Sequence, residues 1–98
     1  MSAIFQLEEA FTITGRGLVL AGQLLEGLVR IGDRVQLPLT GGQLSQRITG
    51  VEAGHGRAAD GSVQGFIGLL VGELAPNEIP LVRAALSHGQ QLQIESAT

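Results

Sequence analysis

The 98-residue chain contains no Cys, Trp, Tyr or Lys, and only 15% of its residues are charged. Without Cys there is no disulfide framework, no thiolate nucleophile and no zinc ribbon. Without Lys the phosphate-binding loop Gly-x-x-x-x-Gly-Lys-Ser/Thr is impossible. Without Trp or Tyr, nucleic-acid bases have no such ring to stack on. These absences exclude thiol enzymes, small zinc domains and P-loop nucleotide hydrolases.

The charge balance is slightly acidic, because six basic residues, all of them Arg, face nine carboxylates for a net charge of −3. This balance argues against a broad nucleic-acid footprint but leaves room for a local contact by a few arginines. The first ten residues carry two Glu and no basic residue, which is not a secretory signal. The longest apolar run, residues 66–72, is too short to span a bilayer. The sequence therefore predicts a soluble, cytoplasmic protein that does not enter a membrane.

The chain is rich in apolar residues, at 44%, for so few charges. A small domain of this composition must leave apolar surface exposed, which favours a partner or self-association. Its length fits a single domain over residues 1–98. The 15 Gly are scattered along the chain, which predicts many tight turns rather than one flexible linker.

The periodicity is typical of strands. Residues 11–14 alternate apolar and polar, as in a half-buried strand, and Gly15-Arg16-Gly17 predicts a hairpin into the apolar run 18–24. Further strands are predicted at residues 34–39, 44–53, 63–74 and 90–94, with a short segment at 28–31, a bend near Gly50 and a loop over 54–62. The run 63–74 reads as a strand buried on both faces, and residues 81–86 as a strand or one helical turn. We therefore predict an all-β fold, a closed or nearly closed antiparallel Greek-key barrel of six to seven strands.

Residues 11–35 read Phe-Thr-Ile-Thr-Gly-Arg-Gly-Leu-Val-Leu-Ala-Gly and then Glu-Gly-Leu-Val-Arg-Ile-Gly-Asp-Arg-Val. This closely resembles the second domain of translational GTPases such as elongation factor Tu, the reductase/isomerase/elongation factor common domain. The resemblance continues through residues 49–52, the loop ending in Asp60-Gly61, and residues 67–70. It is strongest over residues 5–75 and weakens where the chain reads Pro80-Leu81-Val82-Arg83.

In that family the barrel helps to hold the aminoacylated end of tRNA, whose terminal adenosine rests against aliphatic side chains and a Glu. The resemblance implies that Ile13, Val19, Glu52 and Leu70 occupy the matching positions. The same aliphatic residues would also suit an ordinary barrel core. The GTPase half of the family is absent, so the resemblance implies no GTP binding and leaves a docking face uncovered.

The turn Gly15-Arg16-Gly17 contains the polar residue of most interest. Gly15 and Gly17 free the backbone around Arg16. The Arg16 guanidinium either binds carbonyls or a carboxylate at the barrel rim, or contacts a phosphate or a partner from the exposed bend.

No enzyme is predicted. His55 and His88 lie in separate loops without a metal-ligand pattern, and no Ser has the context of a nucleophile. Gly41-Gly42 reads as an ordinary hairpin turn. We therefore expect no cofactor and no metal. The favoured function is a non-catalytic protein-interaction module that binds itself or another protein through an apolar face; the alternative is a module that binds the tRNA end or the ribosome.

Overall fold

The protein was analysed as a computed structural model, which describes residues 2–57 and 63–97. Seven strands and one short helix account for most of them: β1 (Ser2–Ile13), β2 (Gly17–Glu26), β3 (Arg34–Leu39), β4 (Gly42–Arg47), β5 (Gly50–Arg57), β6 (Val63–Val71), α1 (Ile79–Ala85) and β7 (Gln91–Glu95). The all-β class and the count of seven strands are confirmed. Residues 58–62, which hold most of the predicted loop and its Asp60-Gly61, lie outside the described residues.

The seven strands form one antiparallel sheet in the order β4-β3-β7-β1-β2-β6-β5. It is built from three hairpins, β1–β2, β3–β4 and β5–β6. The β5–β6 hairpin joins the first hairpin through β6 and β2, whereas β7 connects β1 with β3. Only the first two residues of β3 pair with β7, Arg34 with Glu95 and Val35 with Ile94. Three residues after Val35 comes Pro38, which has no N–H to donate to a ladder.

Strand pairing does not close the sheet into a barrel in the described part of the chain, because β4 and β5 remain at opposite edges. The two edges are nevertheless linked by the segment Ile48-Thr49 between them. The Ile48 N–H donates to the Asp33 carbonyl at 2.7 Å, and the Thr49 N–H donates to the Leu70 carbonyl at 2.8 Å. Of the predicted closed or nearly closed barrel, the fully closed ring of strand pairs is therefore wrong for the described residues, and the sheet is open at one place, where Ile48-Thr49 bridges its two edges.

One hydrophobic cluster contains the buried side chains of five strands. Its largest fully buried members are Phe5, Leu7, Leu18, Leu20, Leu37, Ile48, Leu69, Ile94, Val35, Val71 and Val82. Strands β3 and β6 are four places apart in the sheet, roughly 19 Å if the sheet were flat. Because both contribute to the same cluster, the sheet curls around it and keeps one face inside and the other outside.

A β-bulge in β1 decides which residues face outwards. Leu7 pairs with Gly22 and Glu9 with Ala21, so Glu8 is an extra residue without a partner. Before the bulge Phe5 and Leu7 are buried; after it Ala10 lies opposite the buried Leu20. The alternation predicted for residues 11–14 is present, but past the bulge its apolar side, with Phe11 and Ile13, lies on the outside of the sheet.

Three other predicted segments differ from the structure. The strand predicted at 44–53 is two strands, β4 and β5, because the chain leaves one edge and starts the other at Ile48-Thr49. Residues 54–57, predicted as loop, continue β5. The run 63–74 ends as a strand at Val71, and it is not buried on both faces, since Leu69 and Val71 are buried but Leu70 is half-buried.

The helix α1 packs against β3 and places Val82 in the core. Pro80 lies in its first turn, where the missing N–H costs no helical hydrogen bond. This confirms the helical one of the two predictions for residues 81–86, with the helix starting two residues earlier. The described residues contain no helix with the length and apolar character that crossing a membrane requires.

Candidate functional site

The turn between β1 and β2 presents Arg16 to solvent. Gly15 has a φ of +80°, a left-handed conformation that side chains other than Gly rarely adopt, and the Arg16 N–H donates to the Ile13 carbonyl at 2.9 Å. The tight turn keeps the Arg16 side chain outside the core. Its Nη2 atom donates to Oε1 of Glu52 on β5 at 3.2 Å. The first of the two interpretations of Arg16, pairing with a carboxylate at the rim, therefore holds in this structure.

The outer face of the sheet carries a shallow depression of about 190 Å³ beside this ion pair. Four neighbouring strands, β1, β2, β6 and β5, contribute residues to it. Its lining consists of Phe11, Ile13, Val19, Ala21, Glu52, Ala53, Gly54, Phe66 and Gly68. Three of the residues matched by resemblance, Ile13, Val19 and Glu52, are thus brought together. Leu70 pairs with Val19 in the sheet and is half-buried, but it does not line the depression.

A second depression of about 220 Å³ continues the first along β1. It is lined by Phe11, Ala21 and Phe66, which also line the first, and by Glu8 and Glu9. Because three residues are shared, the two form one continuous apolar surface. We refer to these two sets of lining residues together as the outer groove. Its centre is aromatic and aliphatic, and its polar groups lie at the rim.

The bulge in β1 gives the outer groove its acidic rim. Adjacent residues of a regular strand point to opposite faces, but the extra residue Glu8 breaks that alternation, and both Glu8 and Glu9 are exposed and line the groove. The ring Nδ1 of His88 lies 2.8 Å from the backbone carbonyl of Glu8 rather than from a carboxylate. In the described part of the chain neither carboxylate is in an ion pair. Among the described side chains, the rim therefore has the three carboxylates of Glu8, Glu9 and Glu52, beside the guanidinium of Arg16.

Two glycines shape the floor of the outer groove. A Cβ on Gly54 would lie 2.7 Å from Cζ of Phe66, so the absence of a side chain allows the ring to pack over the β5 backbone. A Cβ on Gly68 would make only ordinary contacts, 3.6 Å from Cγ1 of Val19. Gly54 therefore places the Phe66 ring, and Gly68 leaves space beneath whatever occupies the groove.

A larger depression of about 470 Å³ lies on the other side of Arg16. Hydroxyls of Thr12 and Thr14, glycine backbone and a few apolar side chains surround it. The lining residues are Thr12, Ile13, Thr14, Gly15, Arg16, Gly17, Gly72, Leu74, Pro76 and Ile79. Gly15 and Arg16, both predicted as site residues, thus lie here, and Ile13 borders both depressions. This depression therefore offers a ligand hydrogen bonds from the Thr hydroxyls and the positive charge of Arg16.

Sequence reasoning missed the two rings that line the site, the exposed Phe11 and the half-buried Phe66. The alternation of residues 11–14 predicts only a half-buried strand, and the apolar run 63–74 predicts a strand buried on both faces, so neither pattern places a Phe ring at a surface site. The available signal was the pair Glu8-Glu9, because two adjacent Glu in a strand otherwise apolar at alternate positions indicate a bulge or a change of face.

In residues 2–57 and 63–97 no three His, Cys, Asp or Glu side chains come close enough to hold a metal ion. Gly41-Gly42 lies in the β3–β4 hairpin turn, as predicted, with φ of +84° at Gly41. No known protein-family model matches the chain.

Proposed function

We propose that this chain is a non-catalytic protein-interaction module that self-associates, built on a Greek-key barrel like the second domain of translational GTPases. The observation that carries the proposal is the outer groove, an aromatic and aliphatic surface on the solvent side of the sheet. Phe11, at its centre, keeps 36% of its surface exposed. The proposed setting is the cytoplasm, where translation factors act.

The make-up of the outer groove supports protein binding. Aromatic residues are enriched at the centres of protein interfaces, while polar and charged residues form the rim. Here Phe11 and Phe66 lie at the centre and the carboxylates of Glu8, Glu9 and Glu52 at the edge. The same arrangement supports a non-catalytic role, because the ionisable side chains at the groove include no base paired with a nucleophile.

Sedimentation velocity over a range of concentrations tests the proposal with two matched variants. Phe11→Asp puts a charge in the centre of the groove. Leu25→Asp is the control, because it introduces the same charge on the same hairpin at a side chain that is 45% exposed but does not line the groove. We expect the wild type and Leu25→Asp to associate and Phe11→Asp to remain monomeric. A wild type that is monomeric at every concentration, or equal effects of the two variants, would contradict the proposal.

A second candidate function is binding of the tRNA end or the ribosome, as the resemblance implies. The specific observation in its favour is that Ile13, Val19 and Glu52 surround one depression, with Leu70 adjacent to Val19. Aliphatic side chains on both sides of an adenine and a Glu beside its ribose would suit such a ligand. The carboxylate rim opposes it, because phosphates are repelled by the same charges.

Titration of aminoacyl-tRNA into labelled protein at low ionic strength tests this second function. If it is correct, binding weakens as salt is raised and is reduced by both Arg16→Ala and Glu52→Ala. Arg83→Ala, at an exposed residue of α1, serves as the control for loss of a positive charge. An absence of binding at low salt would remove the tRNA reading and leave the protein-interaction reading intact.

A further inference from the structure

Among the described residues, the most exposed large apolar side chains include two that flank an arginine. Leu28 and Ile31, in the connection between β2 and β3, are each 66% exposed. Arg30 lies between them and is also exposed, and its guanidinium makes no ion pair within residues 2–57 and 63–97. This segment, called the 28–31 loop below, therefore presents an apolar–basic–apolar surface to solvent.

The 28–31 loop is held in place by Asp33, the one polar residue that is buried among the described side chains. The Asp33 carboxylate accepts the Arg30 N–H at 2.9 Å through Oδ2 and the Ala97 N–H at 3.2 Å through Oδ1. The Gly32 N–H donates to the Ile48 carbonyl at 2.8 Å, which ties the loop to the corner of the sheet. A loop fixed in this way loses little conformational entropy on binding, so its exposed side chains are preorganised for a partner.

The outer groove is the complement of this loop in both polarity and charge. Its centre is apolar at Phe11 and Phe66, and its rim has Glu8 and Glu9 without ion-pair partners in the described chain. An arginine stem can lie on an aromatic face while its guanidinium reaches a carboxylate. If two copies met groove to groove, their rim carboxylates would lie close together and repel each other, which disfavours a symmetric contact through this face.

The loop and the groove of one copy are too far apart to meet. Gly27, just before the loop, is packed against Ser2 and Ala3 at the start of β1. Along β1, the nearest groove residue, Glu8, lies five residues after Ala3, on the order of 16 Å for an extended strand, and Phe11 lies eight residues after it, on the order of 25 Å. A contact between the two surfaces therefore requires two molecules.

We propose that the 28–31 loop of one copy docks into the outer groove of a second copy. Arg30 would lie beside Glu8 and Glu9, with the flanking apolar side chains against the Phe rings. This inference rests on the proposed function, because it specifies how the module self-associates. The contact is proposed to be made once per pair of molecules, head-to-tail, so that each copy keeps a free loop or groove and the assembly grows into rings or open chains.

Two variants that each block one side of this contact test it by sedimentation velocity up to about 500 μM, a range that detects weak association. Arg30→Glu blocks the loop and leaves the groove intact; Phe11→Asp blocks the groove and leaves the loop intact. Each alone is expected to associate at least about tenfold more weakly than the wild type. Mixed in equal amounts, they are expected to form a one-to-one heterodimer that grows no further, because only one competent pair of surfaces remains.

A charge exchange tests whether the named residues meet. Glu8→Arg with Glu9→Arg should abolish association, and adding Arg30→Glu in the same chain should restore it. Arg83→Glu, on the exposed face of α1, is the matched charge reversal and should have no effect. Unchanged circular dichroism and thermal midpoint in each variant show that any loss comes from the surface.

Three results would overturn the proposal. If Arg30→Glu associates like the wild type, the loop is not used, and only the proposed self-association through the groove stands. If the mixed variants form no heterodimer, the contact is not head-to-tail. If the wild type stays monomeric over the whole concentration range, neither this contact nor the proposed self-association exists.

Discussion

The Nη2 atom of Arg16 lies 3.2 Å from Oε1 of Glu52, and this ion pair ties the β1–β2 turn to the edge strand β5. Glu52 lines the outer groove, whereas Arg16 lines the larger depression beside it. The pair therefore separates an apolar surface from a hydroxyl-rich one. Any ligand that takes the guanidinium of Arg16 leaves the Glu52 carboxylate unpaired at the rim of the groove.

The first prediction concerns the strength of this ion pair. The side chains of Arg16 and Glu52 are 49% and 69% exposed, so water screens their attraction. We expect a coupling energy of at most about 1 kcal/mol, falling as salt is added. A double-mutant cycle of Arg16→Ala and Glu52→Ala, followed by urea unfolding, measures it. A coupling energy well above that value at moderate salt would mean that the ion pair is less exposed to solvent than the structure shows.

The second prediction concerns Gly22, which pairs with Leu7 immediately beside the bulge in β1. A Cβ at this position would overlap the backbone carbonyl oxygen of Gln6, and a backbone atom cannot move without separating the strands. We expect Gly22→Ala to lower the free energy of unfolding by about 3 kcal/mol. Urea denaturation of purified protein measures the loss.

Gly42→Ala is the control for this substitution. Gly42 begins β4, has no left-handed backbone, and a Cβ there would meet nothing within 4 Å. The same substitution should therefore be neutral, or stabilise by about 0.4–1 kcal/mol through the unfolded state. If both variants lost stability equally, close strand approach at Gly22 would not be the cause.

The third prediction concerns Asp33, whose two carboxylate oxygens accept N–H groups from Arg30 and from Ala97. Asp33→Ala leaves both amides without this acceptor, so we expect a loss of about 2–4 kcal/mol in the free energy of unfolding. Asp33→Asn keeps one acceptor oxygen and should lose less. Because Asp33 also fixes the 28–31 loop, both variants should weaken self-association in the same order. Association that stays at the wild-type level in a folded Asp33→Ala protein would show that the loop needs no such support.

Local turn geometry could be predicted from the sequence because it is decided by a few adjacent residues. Gly15 and Gly41 both have positive φ, and both hairpin turns lie where the glycines predicted them. The helix over residues 79–85 matches one of the two structures predicted for residues 81–86, and β7 matches the strand predicted at 90–94 to within one residue. These elements depend on local conformational preference, which a single sequence carries.

The face of β1 and the edges of the sheet could not be predicted in the same way. The bulge at Glu8 exists only relative to the partner strand β2, and it moves Phe11 from the inner to the outer face. The split at Ile48-Thr49 likewise depends on hydrogen bonds to Asp33 and Leu70, which are distant in sequence. Both features are set by long-range pairing, and the apolar pattern alone is consistent with either outcome.

The candidate site was predictable only in part, for the same reason. Resemblance named Ile13, Val19 and Glu52, which the structure brings to one depression. The rings of Phe11 and Phe66 complete the apolar surface, but the outward position of Phe11 follows from the bulge, and the position of the Phe66 ring over β5 depends on the absence of a side chain at Gly54. The family pattern therefore indicated where the groove lies, while the folded chain determined its aromatic character.

The fourth prediction separates the role of the outer groove in binding from its role in stability, through two glycines at its floor. A Cβ on Gly68 would lie 3.6 Å from Cγ1 of Val19 and 3.9 Å from the Glu52 carbonyl, which are ordinary contacts. Gly68→Ala should therefore keep or slightly raise stability, by up to about 1 kcal/mol, because Ala restricts the unfolded chain. The added methyl group reduces the space in the groove, so self-association should weaken.

Gly54→Ala is the comparison, because its Cβ would displace the ring of Phe66 at 2.7 Å. The ring end can rotate away, so we expect a loss of only about 1 kcal/mol together with weaker association. The two variants thus change stability in opposite directions but association in the same direction. Thermal unfolding and sedimentation velocity on both proteins test this pattern. If association instead followed stability, and weakened in Gly54→Ala but not in Gly68→Ala, the shape of the groove would not determine binding. Partial unfolding would then explain the weaker association of Gly54→Ala.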